Sequence, residues 1–302
     1  MPDLQVHPDV VTWLRGVFRE CNERITEKLN NNPNAPEESL DLTWIEHLSR
    51  YSSAVTLASS WSVKVEAHYL GGLRHFYRWE IADIGVLLFL RSAGQIRKSK
   101  VALLQSKRLY PTNRGVEEEG RIDYELGFAR LADREQLARA IAVQAEFRFD
   151  QQSRYGAIIP GSEQVKAIKE YEKRSKLPVY YQLYNPWSLP FVQRIPLATF
   201  ARPQSPIEMG VRIVPAKALH ALLPPRNKAY RPSVADLGAG KGVPASYGWM
   251  LENFVADELL GCREGGLFDT IQDNAIQALF FRRSGPIAAA IAITIDAPEG
   301  VG

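Results

Sequence analysis

The chain has few cysteines, no apolar run of membrane-spanning length and no large charge of either sign. Its only cysteines, Cys21 and Cys262, lie far apart with no second Cys or His at ligand spacing. A disulfide scaffold and a zinc finger are therefore not expected. The longest apolar run, 286–295, is about half the length of a membrane-spanning helix. The N-terminus lacks the basic and apolar segments of a signal peptide, so we expect a cytoplasmic protein with no membrane contact.

The composition is that of an ordinary globular protein. Of the 302 residues, 45% are hydrophobic and 24% are charged, which excludes a largely disordered chain and a coiled coil. The net charge of +3 permits a nucleic-acid partner without requiring one. The histidines form no H-x-x-H or H-E-x-x-H pattern, and no G-x-S-x-G occurs, so neither a histidine metal site nor a serine hydrolase is supported.

Hydrophobic periodicity and turn signals predict an alternation of helices and strands. Helices are expected at 9–29, 40–52, 131–147, 162–176 and 245–260, with Ser39 and Ser162 as caps of the second and fourth. Strands are expected at 62–70, 79–91, 100–110, 179–185 and near 210–216, and the first three should form an antiparallel meander. A final apolar segment, 285–295, belongs to a second lobe that begins after a proline-rich stretch.

The polar residues between Asp83 and Lys107 carry the chemistry. A hairpin turn near 94–95 would place Asp83 opposite either Gln105 or Lys107, and these two share a strand face because they are two residues apart. Asp83, the Gln105 side-chain oxygen and the Ser106 carbonyl are the oxygen ligands that Mg²⁺ prefers. Lys107 would orient or help to deprotonate an attacking water and stabilise developing phosphorane charge. The pattern therefore predicts metal-assisted phosphodiester hydrolysis.

This D-x(n)-[E/Q]-x-K pattern resembles the signature of the PD-(D/E)XK nuclease superfamily. The form LLQSKR, with Gln105 where most members have Glu, is similar to Mrr-type restriction endonucleases and related prokaryotic defence nucleases. The resemblance covers about 38–185, where the predicted elements follow the αβββαβ order of that superfamily. It implies an α/β fold with a restriction-endonuclease-like core, a mixed sheet flanked by helices. A nuclease domain at 1–190 and a C-terminal α+β extension at 191–302 are then expected.

The same resemblance implies an activity and a setting. The protein would be a Mg²⁺- or Mn²⁺-dependent endonuclease that cleaves DNA as the effector of an antiphage defence system. It would act with a partner protein and could form a homo-oligomer. Members of this type often carry another catalytic acid on the first core helix, for which Glu38 and Glu46 are the candidates here.

Basic and aromatic residues suggest how nucleic acid could be held. Three lysines of the helix at 162–176 form one stripe, and with basic residues of the site strand they could contact phosphates: Lys166, Lys169, Lys173, Lys100 and Arg108. The alternative is a solvated charged face. Tyr180, Tyr181, Tyr184 and Trp187 could stack on bases or, more simply, pack in the core.

Two other functions compete with the nuclease. The chain could keep a nuclease fold without catalysis, as a scaffold or nucleic-acid-binding subunit of a complex. Alternatively, the segment SVADLGAGKG at 233–242, taken as a strand followed by a glycine-rich loop, resembles that of S-adenosylmethionine-dependent methyltransferases. Too few residues follow it to complete a doubly wound sheet, which argues against a methyltransferase.

Overall fold

The computed structural model describes residues 5–69, 81–113, 145–195, 206–268 and 287–299. Positions 131–144 of one predicted helix lie outside these ranges. The last three positions of that prediction, 145–147, begin a strand instead. Within the described ranges, no helix is both long and apolar enough to cross a membrane.

Two helices open the chain, as predicted. Helix α1 (Pro8–Asn31) starts where the His7 ring accepts the Asp9 N–H, and it buries an apolar side that also carries the polar residues Asn22, Thr26 and Asn30. Helix α2 (Glu37–Leu48) follows and is extended by a 3₁₀ turn, Ser49–Tyr51. It begins three residues before the expected position, with Pro36 rather than Ser39 at the N-cap. Glu37 therefore belongs to the first helical turn.

Most of the strands form one nine-stranded mixed sheet. Its members are β1 (Val55–Thr56), β2 (Ser62–Tyr69), β3 (Ala82–Ser92), β4 (Gln95–Arg108), β6 (Val179–Tyr184), β8 (Val211–Pro215), β9 (Trp249–Met250), β10 (Gly266–Leu267) and β11 (Ile287–Asp296). The order is β1-β2-β11-β3-β4-β6-β8-β9, with β10 paired to β4. The two remaining strands, β5 (Ala145–Phe149) and β7 (Phe191–Ile195), pair with each other.

The predicted three-strand meander is wrong in one respect. Strand β11 lies between β2 and β3, antiparallel to β2 and parallel to β3. This C-terminal strand is almost wholly apolar, has a neighbour on each edge, and its residues are buried or half-buried, as in a central strand. The sheet therefore takes strands from both predicted segments, 1–190 and 191–302.

The β3–β4 hairpin was predicted with nearly the right centre. Its turn consists of Ala93 and Gly94, both at positive φ (50° and 73°), which is the backbone that a two-residue primed turn requires. Ile84 pairs with Leu104 and Val86 with Ala102. The turn is tighter than the gap between the predicted strands 79–91 and 100–110, so β4 begins at Gln95 rather than near 100.

Helices cover both faces of the sheet. Residues of α1 and α2 pack with one set of strand side chains, which includes Ile84, Val86 and Leu104. The opposite set packs with α3 (Glu163–Ser175), which begins at its predicted cap, Ser162. Strand β6 follows α3 and runs parallel to β4. The fold is thus mixed α/β, a mixed sheet flanked by helices.

The C-terminal part departs from expectation in two places. Two short helices, α4 (Ala216–Leu222) and α5 (Val234–Ala239), follow β8. The predicted strand at 233–237 is in fact α5, begun by a capping box between Ser233 and Asp236, so no strand leads into the glycine-rich segment. The predicted helix at 245–260 is β9, one helical turn α6 (Leu251–Asn253) and a π-helical turn, Phe254–Leu259.

Candidate functional site

Asp83 and Gln105 meet across the β3–β4 hairpin. Continuing the register by one step from the Ile84–Leu104 pair places Asp83 opposite Gln105 rather than Lys107. The Gln105 Nε2 donates to Asp83 Oδ2, and the Ser106 backbone N–H donates to the same oxygen over 2.7 Å. Of the two registers that the sequence allowed, the structure has the first.

Carboxylates take the place of a neighbouring strand at the end of β4. Among the residues that the structure describes, the pairing of β3 with β4 ends at Ile84 and Leu104. The Ser106 N–H is bound by Asp83, and the Arg108 N–H donates to Glu37 Oε1 over 3.1 Å. Because the N–H and C=O of one strand residue point to the same side, the Ser106 carbonyl also faces this edge.

Helix α2 supplies a second buried carboxylate, Asp41. Its Oδ1 accepts hydrogen bonds from the Ser106 hydroxyl over 2.5 Å and from the Tyr184 hydroxyl. The Tyr184 oxygen in turn accepts from Gln182 Nε2. Asp41 and Asp83 are each 9% exposed. Two recessed carboxylates, from a helix and a strand, therefore bind neighbouring groups of the same Ser106 residue.

Lys107 is buried and paired. Its Nζ donates to Glu37 Oε2 over 3.1 Å. Burial alone would lower the pKa of Lys107, but the negative charges of Glu37 and Asp83 outweigh it, so the pKa is raised. An ammonium has no lone pair to accept a proton. Of the three roles predicted for Lys107, orientation of the water and stabilisation of charge use the protonated form that Glu37 favours, whereas deprotonation of water would need the neutral form.

The pKa values of both buried carboxylates of the site are raised. Burial raises the pKa of Asp41 to about 7, opposed in part by its hydrogen bonds from Ser106 and Tyr184. Burial raises the pKa of Asp83 well above its usual range, and the nearby Asp41 charge adds to the effect. A divalent cation between the two carboxylates would offset both causes, because it favours their ionised forms.

The available oxygen atoms fit a hard cation that keeps several waters. Gln105 Oε1 is buried with no hydrogen-bond partner among the described residues. If the amide oxygen and nitrogen of Gln105 exchanged places, Oε1 would face Asp83, and a cation could then be coordinated by the oxygens of both side chains. No group of three or more His, Cys, Asp and Glu suited to a metal occurs in the described part of the chain. A bound Mg²⁺ would rest on Asp41, Asp83 and an oxygen of Gln105 or Ser106, with water completing the set.

A cleft of about 450 Å³ opens onto the two carboxylates. Asp41 and Asp83 belong to its lining, together with Glu38 of α2. Its remaining walls are mostly apolar and come from α2, from Tyr69 at the end of β2 and from the first residues of β11. The carboxylates are thus reached from outside through a partly apolar passage.

The two glutamates predicted to complete the site have different positions. Glu38 is exposed and lines the cleft, whereas Glu46 is exposed and does not line it. The acids that bind the core of the site are Glu37 and Asp41, which sequence reasoning missed. Asp41 carried a signal, because it lies on the apolar side of α2 with Trp44 and Ile45, where an acid needs a partner.

The structure corrects two of the five basic residues predicted to bind nucleic acid. Lys100 is 1% exposed and its ammonium donates to the Glu264 carbonyl. Arg108 is buried, donates to the Pro33 carbonyl over 2.7 Å and lies 4.3 Å from the centre of the Tyr110 ring. Both side chains are thus buried against protein carbonyls, which does not fit the surface phosphate contacts predicted for them.

The other three lysines remain available on the surface. Lys166, Lys169 and Lys173 are exposed along α3, and Lys166 pairs with Glu163 over 2.7 Å. The aromatic residues follow the simpler prediction, since Tyr180, Tyr181, Tyr184 and Trp187 are buried in the core.

The comparisons with known proteins add no relative. No protein-family model, no curated protein and no solved structure matches this chain.

Proposed function

We propose that this protein is a metal-dependent nuclease that hydrolyses phosphodiester bonds of DNA. One observation carries the proposal: Asp83, Gln105 and Ser106 meet at the open end of the β3–β4 hairpin, where Asp41 of α2 joins them. The order α2, β2, β3, β4, α3, β6 also agrees with a restriction-endonuclease-like core, which we include in the proposal. The inserted β11 is a departure from that core.

Each residue has a defined task in this proposal. Asp41 and Asp83 hold Mg²⁺ or Mn²⁺, assisted by the Gln105 side-chain oxygen or the Ser106 carbonyl. The bound ion supplies Lewis-acid polarisation of the phosphate and a more acidic water. Lys107, kept protonated by Glu37, stabilises charge on the phosphate and orients the water. Tyr184 and Ser106 fix the Asp41 carboxylate by hydrogen bonds.

A cleavage assay with matched variants tests the proposal. Purified protein is incubated with plasmid and with linear DNA in Mg²⁺, in Mn²⁺ or in EDTA. We expect metal-dependent cleavage that falls by about a hundredfold or more in Asp83→Asn and Lys107→Met. The first variant loses a charge that holds the metal, and the second loses the charge that stabilises the phosphate in the transition state. Glu46→Gln, on the same helix as Asp41 but away from the cleft, serves as the control and should cleave normally. Wild-type rates in Asp83→Asn and Lys107→Met would overturn the assignment.

One feature favours a second function, a catalytically inactive nuclease fold that serves as a scaffold or nucleic-acid-binding subunit. Gln105 gives the site one negative charge fewer than the usual Glu, and its amide donates to Asp83 rather than presenting oxygen. Calorimetric titration with Mg²⁺ and Mn²⁺ separates the two functions. Heat that disappears in Asp83→Asn supports the nuclease, and absence of any metal-dependent heat supports the scaffold.

As a nuclease, the protein would serve as an effector in prokaryotic defence against foreign DNA, with a partner protein that senses the trigger. This part of the proposal rests on the sequence resemblance to Mrr-type enzymes. A plaque assay that compares wild type with Asp83→Asn in a host carrying the complete gene neighbourhood tests it. Equal phage titres for both would contradict the defence role.

A further inference from the structure

The cleft above the carboxylates exposes apolar side chains beside a polar centre. Two large side chains of the cleft are exposed: the aliphatic Leu42 of α2 at 45% and the aromatic Tyr69 at the end of β2 at 63%. Ile45 and Ala289 continue the same walls. Exposed apolar surface grouped around a candidate site is characteristic of a ligand-binding groove.

The charges of the cleft do not suit a phosphate on its walls. Its charged lining residues among the described part of the chain are Glu38, Asp41 and Asp83, all acids. Lys107 does not line the cleft, so a phosphodiester would approach these walls only where a cation bound to Asp41 and Asp83 meets it. The apolar walls match a different part of a nucleotide, the uncharged planar base, which stacks on aromatic and aliphatic side chains.

The depth of the site limits which nucleic acids can enter. Asp41 and Asp83 are recessed, and the space above them, about 450 Å³, is of the size of a small-ligand pocket. In a duplex the bases are stacked and paired inside the double helix, and flipping a base out of it costs a few kcal/mol. A single strand presents its phosphate and its unstacked base together at no such cost.

We propose that this cleft holds an unpaired nucleobase next to the scissile phosphate, with Tyr69 stacked on it and Leu42 against its other side. The inference rests on the proposed nuclease function and adds its substrate class: single-stranded DNA or locally unpaired DNA. Duplex DNA is then cleaved only where a flap, a bubble or an end leaves bases unpaired.

The test compares a single-stranded oligonucleotide with its duplex, each labelled at the 5′ end, in Mg²⁺ or Mn²⁺. We expect the wild type to cleave the single strand at least about tenfold faster. Leu42→Trp, which fills the cleft, should slow single-strand cleavage by about tenfold or more. Tyr69→Ala should raise KM by about tenfold, and Tyr69→Phe, which keeps the stacking ring, should recover most of that loss. Val192→Trp is the control, because Val192 is 52% exposed on β7 and does not line the cleft.

A second measurement separates this inference from the proposed function. A short single strand that contains 2-aminopurine reports base stacking by loss of fluorescence, with no need for cleavage. If the wild type quenches the fluorescence and Tyr69→Ala does not, base binding in the cleft is supported, even for a protein that cleaves no DNA. Absence of cleavage would overturn only the nuclease function. Equal cleavage of duplex and single strand, together with an unaffected Leu42→Trp, would overturn the inference and leave the nuclease intact. Thermal unfolding of each variant identifies any that fails to fold, in which case Leu42→Phe replaces Leu42→Trp.

Discussion

The Lys107 ammonium donates to Glu37 Oε2 over 3.1 Å, while Oε1 of the same carboxylate accepts the Arg108 backbone N–H. One side chain in the first turn of α2 thus compensates a buried cation and closes the open edge of β4. The contact joins the helix that carries Asp41 to the strand that carries Gln105. Its strength should therefore determine how firmly the two halves of the candidate site are held together.

We expect Glu37→Gln to destabilise the protein by about 1–3 kcal/mol, because the amide still accepts the Arg108 N–H but no longer balances the buried ammonium. Urea unfolding at pH 7 measures the change. Glu46→Gln removes a glutamate from the exposed side of the same helix and should stay within about 0.5 kcal/mol of wild type. Equal stability of the Glu37 and Glu46 variants would contradict the role given to this ion pair.

The stability of the metal-free protein should fall as the pH rises from about 4 to 7. Burial raises the pKa of Asp41 to about 7 and the pKa of Asp83 well above its usual range, so these two carboxyls hold more protons in the folded protein than in the unfolded chain throughout this interval. Stability is then greatest below the unfolded pKa of about 3.9 and is lost as the pH rises through the folded value. The total loss should be on the order of a few kcal/mol, seen by urea unfolding in EDTA. Asp41→Asn should make the dependence shallower without abolishing it, because the pKa of Asp83 is raised as well. An unchanged slope in that variant would contradict the assignment.

Divalent cations should reverse this loss. At pH 7 a saturating ion that binds only the folded state, at about 100 times its Kd, adds roughly 2.7 kcal/mol, which corresponds to a Tm increase of several degrees. Thermal unfolding with Mg²⁺, Mn²⁺ or EDTA measures it. Asp83→Asn should remove the increase, while Glu46→Gln should retain it. A metal-induced shift of the same size in both variants would place the ion elsewhere.

The sequence predicted the strand half of the site well and the helix half poorly. The position of a short turn was enough to predict that Asp83 lies near Gln105, because the turn of a hairpin determines which residues of its two strands pair. The position of α2 depends on packing across the sheet, so spacing alone could not favour Glu37 over Glu38. Asp41 could have been suspected only from its place on the apolar side of the helix. The exact start of α2 decided which acid faced β4.

The insertion of β11 shows the same limit for the fold. Its apolar sequence indicated a buried segment but gave no information about its neighbours. Pairing of β11 with β3 joins residues about two hundred positions apart, and such long-range pairing leaves no periodic trace in either strand. The prediction of a methyltransferase-like strand at 233–237 was wrong for a local reason, because Ser233 and Asp236 form a capping box that starts a helix.

The exposed lysines of α3 should contribute to DNA binding, and the buried basic residues should not. Replacing Lys166, Lys169 and Lys173 together with Gln should weaken binding and reduce the slope of log K against log salt by roughly 1 for each phosphate that is no longer neutralised. Lys100→Met serves as the matched control, because its ammonium is buried against the Glu264 carbonyl and cannot reach phosphate. Fluorescence anisotropy with a labelled oligonucleotide, in Ca²⁺ and over a range of salt, measures both slopes. A slope reduced by Lys100→Met but not by the triple variant would show that DNA lies on another face of the protein.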